Sequence, residues 1–184
     1  ENKLRWYHDI DSSLYVVLFL LGGIMRKFEK ISFEQFKKDI CDDLELYNNY
    51  ELPIRHSAKS AGYDIRSLNE GIIKPGKSMV FRTGLKVCMN KDEVLYLIGR
   101  SSLGYKYDVC LSNNVGVIDA DFYNNEDNEG HFSVKLINHG KDDFEVKIGD
   151  RIVQGIFHKY LVTESDKCNK KRTGGIGSTN KKGK

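Results

Sequence analysis

Groups able to do chemistry appear first at Asp119 and Asp121, in the run Gly116-Val117-Ile118-Asp119-Ala120-Asp121-Phe122-Tyr123. Val117 and Ile118 read as the end of a buried strand, and alternation along a strand puts both carboxylates on one side. A carboxylate leaving an apolar strand beside an aromatic ring can serve as general base toward a small, flat-ringed substrate. The same run also reads as an acidic β-hairpin with solvated carboxylates and packed rings.

Three more stretches carry polar groups in suggestive places. In Ala61-Gly62-Tyr63-Asp64-Ile65-Arg66-Ser67 a lone Asp sits inside an apolar strand, where local backbone groups could equally satisfy it. Gly99-Arg100-Ser101-Ser102-Leu103-Gly104 closes a hydrophobic strand and opens a short helical turn. Two hydroxyls, a guanidinium and free backbone N–H groups converge there as a phosphate requires. A serine N-cap beside a surface arginine is the plainer account of the same residues. Arg172-Thr173-Gly174-Gly175-Ile176-Gly177-Ser178-Thr179-Asn180 resembles a phosphate-cradling glycine loop but lacks the Gly-x-x-x-x-Gly-Lys-Ser/Thr spacing. It reads as a flexible arm that orders over a polyphosphate, or as a basic tail.

The elements that must position these groups are mostly strands. From Glu51 onward apolar residues recur with period two, giving candidate strands at 78–83, 85–89, 94–99, 109–112, 131–138, 144–148 and 152–160. Turn signals separate them at Lys74-Pro75-Gly76-Lys77, Asn90-Lys91-Asp92, Asn138-His139-Gly140-Lys141 and Ile148-Gly149-Asp150. Many short strands at this spacing make a sandwich or barrel. There is no βαβ alternation and no Gly-x-Gly-x-x-Gly, which excludes a dinucleotide-binding doubly wound sheet. Ser32 to Asp43 reads as one short amphipathic helix, with Ser32 and Gln35 as a capping box and Phe33, Phe36 and Ile40 on its apolar face.

Composition bounds the partners. The 184 residues suffice for one domain, and a net charge of +3 forces no nucleic-acid partner. The apolar run Leu14–Leu21 is too short to span a bilayer, which needs about 20 apolar residues. Met25 is the first methionine, so 1–24 reads either as an upstream extension or as a genuine N-terminal segment. Cys41, Cys88, Cys110 and Cys168 are widely spaced, as a reduced, cytoplasmic thiol set would be.

Taken in order, Ala61–Ser67, Gly99–Gly104, Asn113–Asp121, Gly149–Phe157 and Arg172–Thr179 together resemble the five motifs of the homotrimeric dUTPase family, over about Leu52 to Asn180. The resemblance implies an all-β, jelly-roll-like barrel of the β-clip type, with one or two short helices and a flexible C-terminal arm. It implies a helical lead-in at 25–50, a barrel at 51–167 and an arm at 168–184 that closes over a neighbour's site. The implied reaction converts dUTP and water to dUMP and pyrophosphate, supplying dUMP for dTTP synthesis.

The same resemblance implies roles. Asp119 orients and deprotonates the attacking water, Asp64 holds the site and its water network, and Gln154 supplies a polar contact. Arg100, Ser101 and Ser102 cradle the triphosphate, and Arg172, Gly177, Ser178 and Thr179 grip it from the arm. Mg²⁺ is held through the phosphates and water, without a protein cage. Asn113, Gly116 and Ile118 belong to a hairpin that reads the uracil edge and leaves no room for thymine's methyl. Phe122 occupies the position of a ring, usually Tyr, that stacks on deoxyribose and excludes a 2′-hydroxyl; Tyr123 beside it leaves the choice of ring open. Ile176 stands where many members place Phe, and the spacing from Arg172 to the glycine pair is short.

Deaminases on the same barrel need a glutamate on the strand after the third motif, about where Lys135 stands here. Lysine cannot shuttle the proton in the same way, so dCTP deamination ranks below hydrolysis. A non-catalytic nucleotide-binding module is the remaining alternative, but it has no need of a base at Asp119.

Overall fold

Alternating side chains and turn residues close into a barrel in the computed structural model, which describes residues 26–168 and Gly174. The strands are β1 (Lys27–Lys30), β2 (Tyr63–Arg66), β3 (Gly71–Ile73), β4 (Ser78–Arg82), β5 (Leu85–Cys88), β6 (Glu93–Gly99), β7 (Val109–Leu111), β8 (Val115–Asp119), β9 (Ser133–Asn138), β10 (Phe144–Val146) and β11 (Arg151–Lys159). Three short helices, α1 (Phe33–Asp39), α2 (Leu44–Asn49) and α3 (Ser101–Tyr107), complete it.

The sheets run β2-β11-β6-β8, β4-β9-β7, β10-β3 and β1-β5. Their pairs are antiparallel. β9 shows the cause: Val134 and Leu136 point inward, whereas Lys135 between them is exposed. Phe81, Leu95, Ile65, Leu136 and Val153 are fully buried at the centre, each stabilising the fold by about 1.5–3 kcal/mol. Asn138, also fully buried, fastens the end of β9 to its surroundings. Its Nδ2 donates to the carbonyls of Ile73 at 2.7 Å and Asp142 at 2.8 Å, and its Oδ1 accepts from the Gly140 N–H at 2.8 Å.

The region before the barrel departs from the sequence expectation. Lys27–Lys30, with Phe28 as its single apolar residue, adds to β5 as a strand. The helix expected over 32–43 ends at Asp39, and a second helix follows it at Leu44–Asn49, where Asp43 caps α2 by accepting from Leu46 N–H at 2.8 Å. Only half of the Ser32–Gln35 capping box forms: Ser32 Oγ accepts from Gln35 N–H at 3.1 Å, whereas Ser32 N–H donates to Glu129 at 2.9 Å. Phe36, Ile31 and Leu68 then form a second small core, with Tyr47 and Tyr50 packed against Phe36.

Candidate active site

Asp64 is the meeting point of three motifs. It lies in β2 opposite Gln154 of β11 and is only 6% exposed. Gln154 Nε2 donates to its Oδ1 at 3.2 Å, and Arg100 Nε lies 3.3 Å from the same oxygen. Arg151 Nη1 donates to Oδ2 at 3.1 Å, with His56 Nε2 also 3.1 Å from it. Arg151 and Gln154 are three residues apart, a spacing that puts side chains on opposite faces of a regular strand. The β2–β11 register shifts between Arg151 and Val153, and this bulge re-aims Arg151 toward the same carboxylate. Gly62 makes room for Gln154, since a Cβ there would fall 3.0 Å from its Cδ.

Arg100 is the N-cap of α3, but its side chain does not cap the helix. It turns to Asp64 and to the Arg151 carbonyl, 3.3 Å from Nη1. Ser101 and Ser102 form the first turn beside it. One carboxylate among two guanidiniums and an imidazole leaves a cationic surface suited to an anion.

A separate cleft of about 420 Å³ opens beside β8. Asn113, Gly116, Ile118 and Phe122 line it together with Leu97, Phe132 and Lys135. The strands beside it approach closely at a glycine. Gly116 stands opposite Leu97, and a Cβ at Gly116 would lie 2.9 Å from the Cβ of Leu97. Phe122 is 5% exposed and sits on a 3-10 turn, Ala120–Phe122. Tyr123 is not among the residues lining the cleft. Its hydroxyl donates to the Glu29 carboxylate of β1, and Lys86 Nζ lies 5.5 Å from its ring centre. Burial, then Glu29, pushes its phenol well above the usual range.

Two sequence expectations about this stretch are corrected. Val117 is 56% exposed, not buried, because alternation puts Val115, Val117 and Asp119 on the outward face of β8, while Gly116 and Ile118 face inward. Asp119 ends β8 and Asp121 lies within the 3-10 turn, so strand alternation does not relate the two carboxylates.

A single chain does not bring Asp119 to Asp64. Asp64 pairs with Gln154, Gln154 with Ile98, and Ile98 with Val115, four residues before Asp119. Three inter-strand steps and four residues along the strand separate the two residues by about 20 Å along the sheet. Arg172, Ile176, Gly177, Ser178 and Thr179 lie outside the described residues. His56 and Arg151 are additions that sequence reasoning missed as site residues. His56 carries no motif signal, whereas Arg151 stood within a quoted motif without a role. No group of three or more His, Cys, Asp or Glu that could hold a metal occurs among the described residues.

The barrel is of a class already solved: it is similar to a dUTPase from Streptococcus mutans, with a TM-score of 0.62 and 35% identity over 75% of this chain and 98% of that one. A dUTPase from phage phi11 of S. aureus shares the fold at a TM-score of 0.60 and 17% identity, over 79% of this chain and 97% of that one. The dUTPase family model matches residues 48–180, and the chain belongs to that family. Among curated relatives, the deoxyuridine 5'-triphosphate nucleotidohydrolase of Lactococcus lactis is 44% identical over 130 residues, 70% of this chain and 87% of its own. That of Haemophilus influenzae is 31% identical over 147 residues, covering 76% and 93%.

Proposed function

We infer that the chain is a dUTP diphosphatase, hydrolysing dUTP to dUMP and pyrophosphate. Family membership carries the reaction. Asp119, one residue beyond the cleft-lining Ile118, carries the assignment of the base.

In this reading the uracil enters the cleft, where the Asn113–Ile118 hairpin supplies backbone and amide groups to its edge. Phe122 lies against the deoxyribose; Tyr123, engaged with Glu29, does not compete for that place. Arg100, Ser101 and Ser102 receive the phosphates, with Arg151 adding positive charge, His56 beside it, and Asp64 and Gln154 holding those groups in place. Asp119 takes the proton from the water that attacks the α-phosphorus. The arm residues Arg172, Gly177, Ser178 and Thr179 close over the β- and γ-phosphates, with Ile176 toward the base. Mg²⁺ fits this donor set only as a passenger of the triphosphate, where it would neutralise charge on the leaving pyrophosphate.

The separation of Asp64 from Asp119 supports a homotrimer in which neighbouring subunits complete each site. Exposed Ile98, Val115 and Val117 along β6 and β8 support the same assembly. The cysteines are free, in keeping with a cytoplasmic enzyme. No helix among the described residues is long and apolar enough to cross a membrane.

The test is pyrophosphate release from dUTP, dCTP, dTTP and UTP in parallel. Turnover of dUTP alone is the expected result. Ammonia release from dCTP would instead establish deamination, against which Lys135 in the cleft wall speaks.

A further inference from the structure

Between Tyr123 and His131 the chain folds back on itself around two asparagine side chains. Asn125 is 8% exposed and uses every polar position of its amide. Its Nδ2 donates to the Phe122 carbonyl at 2.8 Å and to Asn128 Oδ1 at 2.9 Å. Its Oδ1 accepts from the N–H groups of Asp127 at 3.1 Å and Asn128 at 3.2 Å. Asn128 continues the chain of bonds, donating through Nδ2 to the His131 carbonyl at 2.9 Å and accepting from Gly130 N–H at 3.1 Å.

The two carbonyls gripped in this way flank the two rings of the cleft. One belongs to Phe122 and the other to the residue before Phe132, and both rings line the same wall. The loop is also drawn tight against Phe122. Gly130 has φ 86°, and a Cβ there would fall 2.6 Å from the Phe122 oxygen. Asn125, buried with every polar position bonded, and the half-buried Asn128 beside it hold this geometry together.

We propose that the Asn125–Asn128 pair is a positioning element that fixes Phe122 relative to Phe132 and so sets how strictly the cleft refuses a ribonucleotide. The proposal rests on the reading that Phe122 lies against the deoxyribose. A ring excludes a 2′-hydroxyl only while it cannot retreat, and a retreat of about 1 Å is enough to loosen a site. Neither asparagine touches the nucleotide; both act through the backbone of the residues that do.

The experiment is steady-state kinetics of the full chain with dUTP and UTP for the wild type, Asn125→Asp, Asn128→Asp and Phe122→Leu. Aspartate keeps the shape of the side chain but removes its N–H donors. The expected result is a fall of about tenfold in the ratio of kcat/KM for dUTP to that for UTP, carried by KM rather than kcat, in both aspartate variants. An unchanged ratio in those variants, alongside a reduced ratio in Phe122→Leu, overturns the positioning role and leaves the reading of Phe122 intact. An unchanged ratio in Phe122→Leu overturns that reading and the proposal with it. Equal losses on both nucleotides, or failure of both aspartate variants to fold, mark the pair as structural only and also overturn it.

Discussion

Asp64 and Gln154 stand directly opposite each other in the β2–β11 ladder, and their side chains meet at 3.2 Å. That contact fixes one lobe of a carboxylate whose other partners, Arg100, Arg151 and His56, come from three different parts of the chain. A nearly buried anion surrounded by donors orders them at a lower entropic cost than each would incur alone.

Asp64→Asn should weaken both fold and function. The partially exposed arginines keep solvent as an alternative partner, so stability should fall by about 1.5–3 kcal/mol, the range for a hydrogen bond to a charged group. Catalytic efficiency on dUTP should fall by about 10²-fold, because Arg100 and Arg151 lose their fixed orientation. Urea denaturation read by circular dichroism, beside a pyrophosphate-release assay, checks both. Wild-type efficiency in a destabilised variant would leave Asp64 with a structural role alone.

Asp119→Asn should separate binding from chemistry. The residue ends β8 at an exposed position, so the β6–β8 ladder survives its replacement. Turnover should drop by about 10²–10⁴ on loss of a positioned general base. Affinity for a non-hydrolysable dUTP analogue, measured by calorimetry, should stay at the wild-type level. Retained turnover would remove Asp119 from the mechanism.

Much of this was legible before the structure, and the exceptions have physical causes. Strict alternation, as in Ser133–Asn138, gave both the strand and its inward face. Lys27–Lys30 carries one apolar residue and no periodicity to read, so pairing with β5 alone makes it a strand. The aim of Arg151 depends on a bulge, which sequence spacing does not announce. Val117 looks like a core residue because an apolar strand end reads the same whichever face its side chains take. Asn125 and Asn128 carry no signal in the sequence, since a hydrogen-bonding asparagine and a solvated one have the same letter.

Acid should loosen the lead-in helix from the barrel. Gly84 N–H donates to His131 Nε2 at 3.1 Å, so the ring proton lies on Nδ1 and is donated to Asp39 of α1 at 2.6 Å. Burial holds the imidazole below its ordinary 6.5, outweighing the pull of Asp39. Burial raises the Asp39 carboxyl, but the bond from His131, further side-chain bonding and nearby positive charge together more than offset this, leaving it below 3.8. The folded state thus resists protonation at both groups. The stability that neutral His131 contributes is complete above 6.5 and is lost as pH falls from there toward its folded value; Asp39 adds a further loss below 3.8. The thermal midpoint should decline between pH 7 and pH 5, and His131→Gln should flatten that decline while lowering the midpoint at pH 7. A wild-type midpoint independent of pH across this interval would contradict the assigned protonation state.

Two inactive variants should restore each other. With about 20 Å between Asp64 and Asp119 in one chain, a site that needs both must draw them from different subunits. Asp64→Asn and Asp119→Asn subunits, denatured together and refolded as an equal mixture, would generate sites in which both carboxylates are wild type. Random assembly gives such sites about one time in four, so the mixture should recover on the order of a quarter of wild-type turnover. Mass spectrometry of the intact assemblies would verify that subunits had mixed, and light scattering that they are trimers. A mixed assembly no more active than either parent would mean that each site takes both carboxylates from one chain, which the strand register does not allow without refolding the sheet.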